Sequence, residues 1–87
     1  MDATSLVPGG PYAAANMAAW NRVLDGACHA YRSMRVFAWS AVVQPSWFIS
    51  DGIHYSTPGS RWRARMIAEA LAAAFPDGGS SASCVIR

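Results

Sequence analysis

Asp51 stands three residues ahead of His54, with Gly52 between them, in the run Ser50-Asp51-Gly52-Ile53-His54-Tyr55-Ser56-Thr57-Pro58-Gly59. At that spacing a carboxylate can fold back onto one imidazole nitrogen if the glycine lets the chain turn, which leaves the other nitrogen facing outward. In hydrolytic sites this arrangement fixes the histidine tautomer and stabilises the imidazolium formed when the ring takes a proton from a serine hydroxyl. His54 is therefore the candidate general base and Asp51 its orienting acid. The same residues also have a plain structural reading, with an Asp closing a local turn and a His packing beside Tyr55. Ser50 and Ser56 share the loop with His54 and are too close in sequence to present a hydroxyl for attack.

Other polar groups carry less. Asp25 and His29 are four apart on a predicted helix and read as a surface ion pair, not as metal ligands. Arg61-Trp62-Arg63-Ala64-Arg65 could be a basic-aromatic strip for nucleic acid. On a helix, however, the arginines divide between two faces and Trp62 turns to the core, so a solvated surface is expected. Cys28 and Cys84 lie 56 positions apart, outside any spacing that suits a metal, and no cofactor or metal is expected. Two unpaired thiols are the simpler expectation for them, and a disulfide tying the tail to the first helix is the alternative in an exported chain.

The elements that must position Asp51 and His54 follow from the pattern around them. Pro8-Gly9-Gly10-Pro11 makes residues 1–12 an entering loop. From Ala13 to Tyr31 the larger apolar residues Met17, Trp20, Leu24, Ala27 and Tyr31 recur at helical spacing, while Asn21, Arg22 and Asp25 take other faces. Met34–Trp39 is short, apolar and rich in β-branched and aromatic residues, which predicts one buried strand. Residues 40–57 form a long loop that packs its own aromatics. Thr57 and Pro58 then start a second helix that runs to Phe75, with Trp62, Met66, Ala70, Leu71 and Ala74 inward and Arg61, Arg65 and Glu69 outward. Pro76, Asp77 and Gly78 stop it, and residues 77–87 are expected to be a flexible tail. One strand alone leaves backbone groups of Val36 and Phe37 unpaired, so further strands are expected from another chain or from a missing N-terminal part.

Composition bounds the possibilities. At 87 residues the chain holds one domain at most, and 53% hydrophobic against 14% charged residues describes a packed chain, not a disordered one. The net charge of +2 comes from seven Arg and no Lys, too small an excess to call for nucleic acid or an anionic membrane. No stretch approaches the roughly 18–20 apolar residues of a membrane span. The opening MDATSLVPGGPY has neither the basic start nor the apolar run of a secretory signal, and the compartment stays open.

Asp51-Gly-Ile-His54-Tyr-Ser-Thr-Pro-Gly59, followed by an Ala-rich helix ending at Phe75-Pro76, resembles the last block of SGNH (GDSL-type) hydrolases. The helix around Asn16, the Val36-Phe37-Ala38-Trp39 strand and the Trp47-Phe48 pair extend the resemblance over roughly residues 12–76. It resembles bacterial members most, and domains attached to membrane acyltransferases, so the parent protein could be secreted or membrane-attached. The resemblance implies an α/β fold, here the C-terminal fragment of a three-layer αβα, flavodoxin-like sandwich (residues 13–76), with His54 as base and Asp51 as its acid. The family's Gly-Asp-Ser nucleophile block and its oxyanion-hole blocks have no counterpart here, and Asn16 and Asn21 do not match the oxyanion Asn. Ala38 also departs from the acidic residue expected before the strand-ending tryptophan, which questions how the loop is anchored.

The expectation is thus the C-terminal part of a serine esterase acting on O-acyl or acetyl esters, inactive alone, with ester substrate bound only when the missing part completes it. The alternative is a non-catalytic remnant or interaction module that forms a homo-oligomer or docks a partner chain to complete its sheet. Neither expectation includes nucleic acid.

Overall fold

In a computed structural model that describes residues 1–87, the alanine-rich stretch after the Pro-Gly-Gly-Pro segment forms helix α1 over Ala14–Ala30. It ends where Tyr31 takes extended backbone and Met34 N–H closes a turn on the Tyr31 carbonyl at 3.0 Å. Strand β1 is Val36–Phe37, shorter than the predicted Met34–Trp39 because Trp39–Ala41 already winds into a 3-10 turn. A second such turn at Pro45–Trp47 precedes helix α2, which spans Thr57–Ala74. Its cap is Ser56 and not Thr57: the Ser56 hydroxyl accepts the Gly59 N–H at 3.1 Å and donates to the Trp47 carbonyl at 3.2 Å. Adjacent Ser and Thr offer the same capping chemistry. Geometry chose the one whose hydroxyl also reaches Trp47.

Two expectations about the end of the chain are corrected. The tail is not free, because Val85–Ile86 forms strand β2, parallel to β1, with Val36 opposite Val85 and Phe37 opposite Ile86. β1 is therefore not the only strand, and α2 is the crossover of a β1-α2-β2 unit, the connection a parallel pair requires. The thiols are not free either: Cys28 on α1 and Cys84 beside β2 form a disulfide with Cα atoms 5.9 Å apart. The physical reason is the same for both. Val36 N–H donates to the Cys84 carbonyl at 3.0 Å and Ala38 N–H to Ile86 at 2.7 Å, so pairing brings Cys84 beside the buried Cys28.

The fold is a small, helix-rich α/β domain with a two-stranded parallel sheet. Phe37 and Ile86 share the face covered by α2, where they meet Ala70 and Ala74. Strand alternation turns Val36, 2% exposed, to the other face. The Cα envelope measures 40 × 27 × 13 Å, flat in one dimension. Little can be enclosed in such a slab. Only 13 of 87 residues are buried, so the apolar stripes read from the sequence are only half covered. Met17, Leu24, Ala27, Met66, Ala70 and Ala74 turn inward as expected, but Trp20, Tyr31, Trp62 and Leu71 are exposed. Asn21 departs in the opposite sense. It is polar yet points inward, its amide bonding both the N–H (2.9 Å) and the carbonyl (2.6 Å) of Ala3 as a neighbouring strand would.

Asn21 thereby holds the N-terminal segment against the outer edge of β1. Asp2 N–H donates to the Phe37 carbonyl at 2.9 Å, so the chain itself covers both sides of β1. The Asp2 carboxylate, 7% exposed, accepts the Ser40 N–H at 2.8 Å and the Ser40 hydroxyl at 2.5 Å. An acidic group thus does anchor the start of the long loop beside Trp39, supplied from residue 2 instead of position 38.

Candidate active site

Residues 47–56, beyond the C-terminal end of β1, fold back on themselves as a narrow antiparallel ladder. Ser56 N–H donates to the Trp47 carbonyl and Ile49 N–H to the His54 carbonyl, both at 2.9 Å, around a bridge between Phe48 and Tyr55. The turn closes at Gly52, whose φ of +71° favours glycine. A side chain there would also crowd Leu6, whose Cβ lies 3.2 Å from where the Gly52 Cβ would sit, and Leu6 N–H donates to the Gly52 carbonyl at 2.8 Å. The loop is pinned on its other side by Gly59, since a Cβ at that position would lie 2.3 Å from the Trp47 carbonyl oxygen. No larger residue permits α2 to approach the loop so closely.

Aromatic contacts fix the ladder from below. Trp39 is 1% exposed, donates its indole N–H to the Tyr55 hydroxyl at 2.8 Å, and meets the Tyr55 ring edge-on at 5.8 Å. Trp39, Trp47 and Trp62 stack in series with centroids 5.9 and 5.7 Å apart. Such pairs contribute about 0.5–1.5 kcal/mol each beyond their area. His54 therefore sits on a loop held by rings, backbone bonds and two glycine contacts.

Asp51 and His54 meet as the sequence predicted. Asp51 Oδ2 lies 2.5 Å from His54 Nδ1, while Oδ1 accepts the N–H groups of Ile53 and His54 at 2.8 and 2.9 Å. The local turn and the carboxylate–imidazole pair are thus one structure, since each carboxylate oxygen serves one of them. The His54 bond, and after it the two backbone N–H groups, hold the Asp51 carboxyl at about 2, below its ordinary 3.8. A carboxylate that stays ionised down to about pH 2 holds the proton on Nδ1 above that pH and leaves the Nε2 lone pair free. Nε2 has no protein partner and the side chain is 74% exposed. This geometry lets His54 accept a proton from a group brought to its open side.

A lowered carboxyl pKa stabilises the folded loop above the unfolded value and ceases to do so as pH falls through the folded one. We expect the Asp51 carboxyl carbon to titrate near 2 by NMR, with the Ile53 and His54 amides losing exchange protection between pH 3.8 and about 2. Titration at an ordinary Asp value would show that the pair is not formed in solution.

No candidate nucleophile stands beside His54. Ser56 is engaged as the α2 cap, Ser50 makes no bond to His54, and both thiols are in the disulfide. Asp25 and His29 are not paired, and the remaining ion pair is Arg65 with Glu69 at 3.0 Å. No group of three or more His, Cys, Asp or Glu could hold a metal ion, and no helix is long and apolar enough to cross a membrane. Sequence reasoning missed Asp2, Trp39 and Gly59 as the residues that hold the loop. Only the Gly after Thr-Pro hinted at a close approach. Comparison with family models, curated proteins and solved structures finds no match for this chain.

Proposed function

We propose that this chain is the base-bearing part of an SGNH-type ester hydrolase, acting on O-acyl or acetyl esters through a serine supplied by polypeptide outside these 87 residues. The observation that carries the reading is the Asp51–His54 pair, closed at 2.5 Å on Nδ1 and open at Nε2, at the C-terminal end of a parallel strand. In open α/β sheets that end is where ligands bind. His54 would take the serine proton as the hydroxyl attacks the ester carbonyl and return it to the departing alkoxide, with Asp51 holding the ring throughout. Neither a nucleophile nor an oxyanion hole adjoins His54, so the chain alone has little acyl transfer to perform. Exposed Trp20, Val23 and Leu71 support the same reading, because a thin slab with bare apolar flanks is suited to further packing.

The test is hydrolysis of p-nitrophenyl acetate by the chain alone and by a protein joining it to a segment that carries Gly-Asp-Ser. The joined protein is expected to turn over and the isolated chain to stay at background. Equal rates for the joined protein and its His54→Ala variant would sink the proposal. The exposed flanks equally favour a second reading, a non-catalytic module that docks a partner chain or a second copy. That reading predicts a complex on sizing and no His54-dependent hydrolysis in any joined form.

A further inference from the structure

Strand β2 and the residues leading into it are held by a short set of contacts. Val36 N–H donates to the Cys84 carbonyl at 3.0 Å and Ala38 N–H to Ile86 at 2.7 Å, while Ile86 covers Phe37, Ala70 and Ala74. Ser81 N–H donates to the Ala74 carbonyl at 2.7 Å, and the Ser81 carbonyl accepts the Arg35 Nε–H at 3.0 Å. The Cys28–Cys84 bridge is the covalent tie. Between this arm, residues 81–86, and α2 lie residues 76–80, exposed throughout, with Gly79 N–H closing on the Pro76 carbonyl inside the same segment. Asp77 has a φ of +49°, a left-handed backbone that strains a residue carrying a Cβ. The segment that turns the chain back is thus bare and strained, and the contacts that seat the arm lie beyond it.

We propose that β2 is an exchangeable arm: once the bridge is opened, two copies of the chain trade residues 81–86, and the dimer closes with Cys28 of each copy bonded to Cys84 of the other. The occupant of the β1 edge is fixed by the structure, since that edge and Cys28 already receive Cys84-Val85-Ile86. In the exchanged dimer each contact of the arm is remade by the same groups of the other copy. The hinge at residues 76–80 no longer has to turn back, which releases the strain at Asp77. Opening takes a dithiol reductant, whose thiolate attacks the sulfur of Cys84, the partly exposed partner, and expels the buried Cys28 sulfur as a thiolate that takes up a proton. The second thiol of the reductant then frees Cys84, which leaves two protein thiols and an oxidised reductant. Closure with glutathione disulfide returns two glutathione thiols for each bridge formed. The proposal is independent of the hydrolase reading.

The test mixes heavy-nitrogen-labelled and unlabelled chains, reduces them with dithiothreitol, reoxidises them with glutathione disulfide, and maps the bridged peptides by mass after non-reducing electrophoresis. A tethered arm meets its own edge at an effective concentration of about 10⁻³ M. Reoxidation at about 10⁻⁵ M is therefore expected to return monomer, and at about 10⁻³ M to give a covalent dimer in comparable amount. The Cys28–Cys84 peptides of that dimer should include hybrids of one heavy and one light half, and the unreduced mixture at the same concentration should give none. Asp77→Gly, which removes the strain from the closed turn, should lower the dimer yield several-fold, and Asp77→Val, which deepens it, should raise the yield. The concentration series on the unsubstituted chain needs no variant and stands if either fails to fold. Monomer alone at every concentration, dimers joined as Cys28–Cys28 or Cys84–Cys84, or a yield unchanged by Asp77→Gly would each overturn the proposal.

Discussion

On the proposed hydrolase reading, Asp51→Asn is expected to lower kcat for acetyl-ester hydrolysis by about 10⁴-fold in the protein that joins this chain to a Gly-Asp-Ser segment, and to leave KM within a few-fold. The size follows from the division of labour between the two carboxylate oxygens. Oδ1 holds the turn through Ile53 and His54 N–H, and an asparagine oxygen can do the same. Oδ2 faces His54 Nδ1, and there an amide nitrogen offers a proton where the ring needs an acceptor. The ring is then driven to the tautomer with its proton on Nε2, where it can no longer act as base. Asp51→Ala loses both functions and should cost stability as well as rate, so the contrast separates orientation from folding. Steady-state kinetics of the two variants, with thermal melts alongside, make the comparison. An Asp51→Asn enzyme within about tenfold of the parent would show that the carboxylate orients nothing.

Reducing the Cys28–Cys84 disulfide, or replacing Cys84 with Ser, destabilises the chain by about 4 kcal/mol if its effect is mainly to restrict the unfolded chain across a loop of this length. For a domain of this size that is a fall of roughly 15–30 °C in melting temperature. A core of nine buried hydrophobic residues leaves no reserve against such a loss. A pair of two-residue strands is also marginal without support, so β2 should leave first. Hydrogen exchange with and without a dithiol reads this directly: the Val36 and Ala38 amides, which donate to Cys84 and Ile86, should lose protection. Unchanged melting after complete reduction would mean that the bridge only decorates contacts that hold without it. Such a disulfide persists where thiols are not kept reduced, which ties the stability of this chain to an oxidising compartment.

The Asp51–His54 contact and α2 were legible because local chemistry decides both. A carboxylate three residues from an imidazole, a glycine at positive φ and a Ser-Thr-Pro start are short-range instructions that later packing did not override. β2 was illegible because Cys-Val-Ile is three residues behind a Gly-Ser run, and its strand character exists only beside β1. The apolar stripes misled in part. Periodicity reports which residues share a face, but so thin a slab cannot cover all of that face, so Trp20 and Leu71 stay exposed beside buried Ala70. Asp2 and Asn21 ran against the rule that polar groups face water. The burial of Asp2 and the partial burial of Asn21 are compensated by partners 38 and 18 residues away, Ser40 and Ala3, and no local pattern announces such bonds. The SGNH resemblance rests on the part of the chain where local chemistry is densest.

The three indoles that support the loop also make it optically self-reporting. Trp39, Trp47 and Trp62 lie with planes inclined by only 21° and 9° at centroid spacings under 6 Å, close enough for their electronic transitions to couple. Coupled chromophores give a split circular dichroism band that a lone indole lacks, and its sign and size depend on how the rings are inclined. Trp47 belongs to the loop and Trp62 to the first turns of α2. Any displacement of the His54 loop from its helix therefore changes the colour of the light the protein absorbs asymmetrically, with no label attached.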